Sequence, residues 1–251
     1  MSVKADEPEE QLAEGTLMSH LLELRSRIMK AVIAVFVMFL CLVPFTNRVF
    51  EFVAKPLRDA LPEGSEMIVT DVAAPFLTPF KAVFFVALLV AMPAVLYQVW
   101  QFVAPGLYKR EKRLAIPLMV SSVLLFYLGI AFAYLIVFGI MFGFFVGVTP
   151  EGVQVAPDIS AFLSFVLIMF LAFGLAFEVP IATILLIWSG LVSVKALKNA
   201  RPYVFLGAFV AGMLLAPDVF SMTLMAIPMY LLYEGGLIMA RVLIPAKAAA
   251  T

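Results

Sequence analysis

Charged side chains divide this chain into long, nearly neutral runs, and six of those runs read as helices that cross a bilayer: residues 28–45, 82–104, 114–138, 161–188, 202–216 and 219–240. A hydrocarbon core about 30 Å thick needs about 20 helical residues. The fifth run is shorter, roughly 23 Å long at the helical rise, and Pro217-Asp218 turns the chain directly into the sixth. That hairpin predicts either a locally thinned membrane or a bundle left concave on its outer side. The neutral stretch from 114 to 150 exceeds one span, so 139–149 either lies at the far interface or extends the helix beyond it. Between the first two spans, Val49, Phe50, Phe52, Val53, Leu57 and Leu61 recur at roughly helical spacing among Arg48, Glu51, Lys55, Arg58 and Asp59. This pattern predicts an amphipathic helix on the interface or capping the bundle.

Composition agrees with the pattern: 64% of the 251 residues are hydrophobic, which is more apolar surface than a soluble fold could bury. The predicted fold is an all-α integral membrane protein. Its organisation is an acidic disordered tail over 1–16, a single six-helix domain over 17–241 and a short tail over 242–251. The acidic start lacks the basic region of a cleaved signal, so the first span reads as a retained anchor. Seventeen Lys/Arg balance seventeen Asp/Glu, so net charge argues for no nucleic-acid partner. The bases are nevertheless asymmetric. Lys4, Arg25, Arg27, Lys30, Lys109, Arg110, Lys112, Arg113, Lys195, Lys198, Arg201, Arg241 and Lys247 fall on one side, against Arg48, Lys55, Arg58 and Lys81 on the other. The positive-inside rule then puts both termini in the cytoplasm.

One cysteine, Cys41, excludes an intrachain disulfide, and one histidine, His20, cannot build a metal site. The chain carries no phosphate-binding loop and implies no cofactor. What stands out is acid among bases. Glu111 sits within Lys109-Arg110-Glu111-Lys112-Arg113, and Glu23 lies near Arg25, Arg27 and Lys30. The bases serve as topology signals, but acids contribute little to topology. Glu23 has an ordinary explanation in pairing with Arg27 at i+4. Two lone acids ringed by cations at a membrane boundary would also suit a basic ligand.

Three further acids lie in or beside spans. Glu178, well inside the fourth, must face protein or water or be protonated; it either satisfies backbone freed by Pro180 or lines a polar cavity. Glu234 lies near the cytoplasmic end of the sixth span, where charge is tolerated. Asp218 follows Pro217 at the tight turn and suits a helix N-cap.

The ordered set His20-Leu21-Leu22-Glu23-Leu24-Arg25-Ser26-Arg27, Phe102 through Arg113, Phe173-Gly174 through Pro180 and Arg201-Pro202-Tyr203 resembles the TatC family, the multispanning receptors of the twin-arginine protein translocase. The resemblance runs from about His20 to Arg241. It implies a subunit of the cell inner membrane that binds signal peptides bearing two consecutive arginines. The subunit self-associates and assembles with single-span TatA and TatB for export of folded proteins driven by the proton-motive force. Carried over by motif, Glu23 and Glu111 contact the arginine pair, Phe102 flanks that pocket and Arg25 supports it. Pro56 shapes the periplasmic cap, Glu178 and Asp218 match the family's intramembrane and periplasmic acids, and the last two spans, with Met213, Met222 and Thr223, form the partner-docking surface. The family commonly has Gln where Met222 stands, which removes one polar group from that surface.

Elementary chemistry fits the implied role. Arginine's planar fork grips a carboxylate bidentately, which lysine cannot copy. Exposed pairs contribute only about 0 to 1 kcal/mol each, so affinity must add burial of an apolar segment while the acids select identity. Two other classes compete. A secondary transporter could use Glu178 as a proton site, but no inverted repeat or paired broken helix is visible. An intramembrane protease would need a Ser/His pair, an Asp pair or a metal set within the spans, and none is present.

Overall fold

A computed structural model of the chain describes residues 7–61, 67–107, 112–150, 152–153, 155–215 and 218–243. Over these residues it is mostly helical. Helix α1 (Glu7–Leu42) passes through a 3-10 turn (Val43–Phe45) into α2 (Thr46–Ala60), followed by α3 (Ala74–Leu107), α4 (Lys112–Phe132), a π-helical turn (Ala133–Val137) and α5 (Phe138–Gly147). The chain continues as α6 (Ile159–Ala176), α7 (Val179–Trp188), the short α8 (Val194–Asn199), α9 (Arg201–Leu215) and α10 (Val219–Leu243). Five helical segments are long and apolar enough to cross a membrane, and α9, at 15 residues, is a shorter apolar helix.

Several boundaries differ from the sequence reading for identifiable reasons. Helix α1 starts at Glu7, so residues 7–16, expected as a disordered tail, lie on it. Glu, Gln, Leu and Ala are strong helix formers, and acids favour a helix N-terminus. Residues 139–147 continue the third span as α5, one of the two outcomes expected of that stretch. The fourth span is two helices, because Pro180 has no N–H for the Ala176 carbonyl and its ring crowds that oxygen. The chain tightens there, with Glu178 N–H donating to Leu175 at 3.0 Å, and resumes when Ala182 N–H reaches the Glu178 carbonyl at 2.9 Å.

The core lies around α6. Leu163, Val166, Leu167, Met169 and Phe173 are buried there against Phe126, Phe138 and Met141 of α4 and α5. Helices α4 and α6 approach closely because each offers a glycine: a Cβ on Gly129 would stand 2.4 Å from the Phe173 carbonyl oxygen, and one on Gly174 would stand 2.5 Å from the Phe126 ring. By contrast, no described residue of α1 is buried, and that helix lies along α3.

Helix α2 buries Val53, Ala54 and Leu57 while Glu51, Lys55, Arg58 and Asp59 stay exposed, as its spacing predicts, although Phe52 of the same apolar set is exposed too. Pro56 sits within it. The carbonyl that Pro56 leaves without a helical donor is that of Phe52, four residues back. Tyr134, in the π-helical turn, donates its hydroxyl to that oxygen at 3.2 Å and stacks on the Phe52 ring at 5.1 Å. A strap before α3 is fastened to the start of α6 by a parallel bridge: Ile68 N–H donates to Pro157 and Ile159 N–H to Ile68, both at 3.0 Å.

Candidate functional site

Helices α1 and α3 run antiparallel, with Phe39 against Phe84 at 6.1 Å and Arg27 Nη1 donating to Gln98 Oε1 at 3.5 Å. Continuing that register one more turn brings Glu23 level with Phe102. Arg27 also donates to Glu23 Oε1 at 3.1 Å, the i+4 pair expected from spacing. Glu23 is 36% exposed in this pairing, so its carboxylate remains open to a second donor. Arg25, on the same helix, is exposed, and Phe102 is half-buried. Glu111 lies outside the described residues, in the connection between α3 and α4. The pair contributes a few tenths of a kcal/mol to the helix, little enough for a bidentate arginine ligand to compete with it.

Glu178 stands at the break between α6 and α7, where its Oε2 accepts the Ser122 hydroxyl of α4 at 2.6 Å. Its Oε1 is buried with no hydrogen-bond partner among the described residues. Of the two expectations for Glu178, a bond to backbone freed by Pro180 is not what the geometry shows, since its carboxylate accepts from a serine on another helix.

Glu234 on α10 is paired across 33 residues of sequence: Arg201 Nη2 donates to Oε2 at 2.5 Å and the Tyr230 hydroxyl to Oε1 at 3.1 Å. Beside it the Tyr233 hydroxyl donates to the Leu197 carbonyl of α8 at 2.6 Å. Asp218 is a helix N-cap as its place after Pro217 predicts, its Oδ1 accepting from Ser221 N–H at 2.7 Å.

Among the residues assigned to docking, Met213 is 58% exposed on α9. Met222 is half-buried and packs on α9 instead. Its backbone packs on Gly212, where an added Cβ would lie 2.9 Å from the Met222 carbonyl oxygen. Thr223 donates its hydroxyl to Val219 at 2.7 Å within its own helix, so that proton is already committed.

Sequence reasoning missed three participants. Ser122 carries no local signal, and Arg201, read as a topology base and as part of a family motif, gave no sign of its partner, which is remote in the chain. Asp158 did carry one, an Asp directly before an apolar helical run. It caps α6 through Ser160 and Ala161 N–H at 3.0 and 2.8 Å, and its other oxygen accepts Thr70 N–H at 3.1 Å and the Thr70 hydroxyl at 2.7 Å. Those four bonds hold its carboxyl below the usual carboxylate range, the Thr70 hydroxyl contributing most. Among the described residues no three His, Cys, Asp or Glu side chains converge as metal ligands.

The family model described as TatC, Sec-independent protein translocase protein, matches residues 19–228. The Sec-independent protein translocase protein TatC of Escherichia coli (strain K12) is 57% identical over 226 residues, covering 90% of this chain and 88% of that protein. The TatC of Azotobacter chroococcum mcd 1 is 59% identical over 221 residues, covering 88% of this chain and 87% of that protein. A crystal structure of the twin-arginine translocase receptor TatC superposes with a TM-score of 0.81 at 37% identity, over 89% of this chain and 98% of that one.

Proposed function

This chain belongs to the TatC family of Sec-independent protein translocase proteins, and from that membership we propose that the end of the bundle formed by α1 and α3 is a receptor for twin-arginine signal peptides. The observation that carries the reading is the α1–α3 register, which sets Glu23 level with Phe102 on the helix that leads into the Glu111 connection. Glu23 and Glu111 each take one arginine, Phe102 flanks the pair and Arg25 keeps the N-terminal patch in place. The apolar part of the signal adds the affinity that exposed ion pairs lack, by burial along the bundle. No step requires covalent chemistry.

The same proposal places the chain in the cytoplasmic membrane with six spans, both termini in the cytoplasm and α2, shaped by Pro56, as a periplasmic cap. The shortness of α9 supports a bilayer thinned beside the α9–α10 hairpin, which lowers the barrier to moving a polar chain across. That hairpin, with exposed Met213, is the docking surface for single-span TatA and TatB helices. Met222, packed on Gly212, contributes shape there rather than a hydrogen bond. Glu178 and Asp218 act as the intramembrane and periplasmic acids of the translocation cycle.

Photocrosslinking from position 111 in native membranes tests the receptor assignment. Precursors with an Arg-Arg signal crosslink there, Lys-Lys signals do so more than tenfold less, and Glu23→Lys abolishes the crosslink while membrane insertion persists. Undiminished crosslinking of Lys-Lys signals would mean that the site reads bulk charge alone.

A further inference from the structure

Helix α3 has a weak point in its own backbone. Pro93 lies mid-helix and offers no N–H, which leaves the Leu89 carbonyl, one turn earlier, without its helical donor. Within a membrane an unsatisfied carbonyl is costly, and water is not at hand to relieve it. The donor comes from α4: the Tyr127 hydroxyl lies 3.1 Å from the Leu89 oxygen and 3.3 Å from that of Val90. This arrangement occurs twice. Tyr134, seven residues further along in the π-helical turn that continues α4, does the same for the Phe52 carbonyl that Pro56 frees. Tyrosines at i and i+7 face one way on a helix, so one side of α4 and the π-helical turn that continues it supplies two hydroxyls to two proline-freed carbonyls on two neighbouring helices.

The consequence lies beyond Pro93. The remaining arm of α3 carries Gln98, which accepts from Arg27, and Phe102, and Arg27 in turn holds Glu23. A helix lacking one rung of its ladder bends most readily there. The direction of this arm therefore depends on how the Leu89–Pro93 turn is fastened. We propose that Tyr127 is a positioning residue for signal recognition: its hydroxyl fastens the Pro93 turn and so fixes the distance between Glu23 on α1 and the Phe102 end of α3. The proposal rests on the receptor reading above for its functional consequence, but not for its structural one.

Spin labels at Ser26 and Val99, both exposed, report the α1–α3 spacing in the full chain reconstituted in lipid nanodiscs, with Cys41 replaced by alanine. Tyr127→Phe, which removes only the hydroxyl, broadens the distance distribution and weakens binding of a twin-arginine peptide about tenfold. Adding Pro93→Ala returns an N–H to Leu89 and restores both the narrow distribution and the affinity, a rescue that general loss of stability would not show. A Tyr127→Phe protein with the parent's distribution, or with a broadened distribution and unchanged affinity, overturns the proposal. Failure of the unsubstituted protein to bind the peptide overturns the receptor reading instead, and the distance measurement still decides the role of Tyr127.

Discussion

Glu178 and Glu234 stand at nearly the same level of the bundle and live in opposite circumstances. Each lies two residues before one member of a single helix contact, in which a Cβ added to Gly236 of α10 would come 2.8 Å from Pro180 Cα on α7. Glu234 is fully engaged, with a guanidinium on one oxygen and a tyrosine hydroxyl on the other. Glu178 has one serine hydroxyl and one buried oxygen with no partner among the described residues. Depth alone therefore does not decide how an intramembrane acid is accommodated. What decides it is which side chains the neighbouring helices bring to that level: α9 brings Arg201 to Glu234, and α4 brings Ser122 to Glu178. The first arrangement is built to hold a charge, and the second leaves one acceptor oxygen without a donor among the described residues.

The strongest way to break this comparison is to part the helices that carry both acids. Gly236→Val forces a side chain into the Pro180 backbone and Thr183, which cannot give way as the end of a flexible side chain could. It costs about 2 to 4 kcal/mol through overpacking and lowers the thermal midpoint of the purified protein. A midpoint unchanged by this substitution would show that α7 and α10 do not meet there and that the two acids do not share a level.

Smaller effects separate the acids from each other. Arg201→Met strips Glu234 of its cation and leaves a partly buried carboxylate to one tyrosine, a loss of about 1 to 3 kcal/mol. Ser122→Ala removes one neutral donor from Glu178 and costs about 1 kcal/mol. Chemical denaturation of both variants in the same detergent checks the ranking. Equal losses would mean that the Arg201–Glu234 pair, 41% and 23% exposed, is weakened by solvent to the level of an ordinary hydrogen bond.

The same contrast marks how far sequence reasoning reaches. Spans, the short fifth helix, the amphipathic α2 and the Asp218 cap were readable because each depends on local periodicity or on one residue's place beside a turn. The split of the fourth span followed from Pro180, which the sequence displayed, although the run was read as continuous because neutral length dominated the pattern. The family was readable from four motifs in order, and the comparisons show it. Partners of the acids were not readable. Arg201 and Glu234, or Ser122 and Glu178, meet only through tertiary packing, and nothing in a single sequence pairs residues 33 or 56 positions apart. The glycine contacts at 129, 174 and 236 were invisible for the same reason, since a glycine in a helix signals close approach only once its neighbour is known.

A third carboxylate sharpens the comparison from outside the spans. Asp158 receives four hydrogen bonds, two from its own helix and two from Thr70 on the strap before α3. Every donor favours the ionised form, so its folded pKa lies below the ordinary value. The sign follows: in acid the unfolded chain takes up this proton before the folded one, so the stabilisation is full above the unfolded value of about 3.9. It fades as pH falls toward the lowered folded value. Asp158→Asn retains a cap acceptor but no charge, and it removes this part of the acid sensitivity while changing neutral-pH stability least of the substitutions named here. The check is hydrogen exchange at Ile68, Thr70 and Ile159 amides between pH 5 and 3. In the parent these amides lose protection as pH falls, whereas in Asp158→Asn their protection is lower at pH 5 and nearly flat. A parent whose strap amides are equally protected across that range would show that the bridge between Ile68 and Asp158 is held by backbone pairing alone.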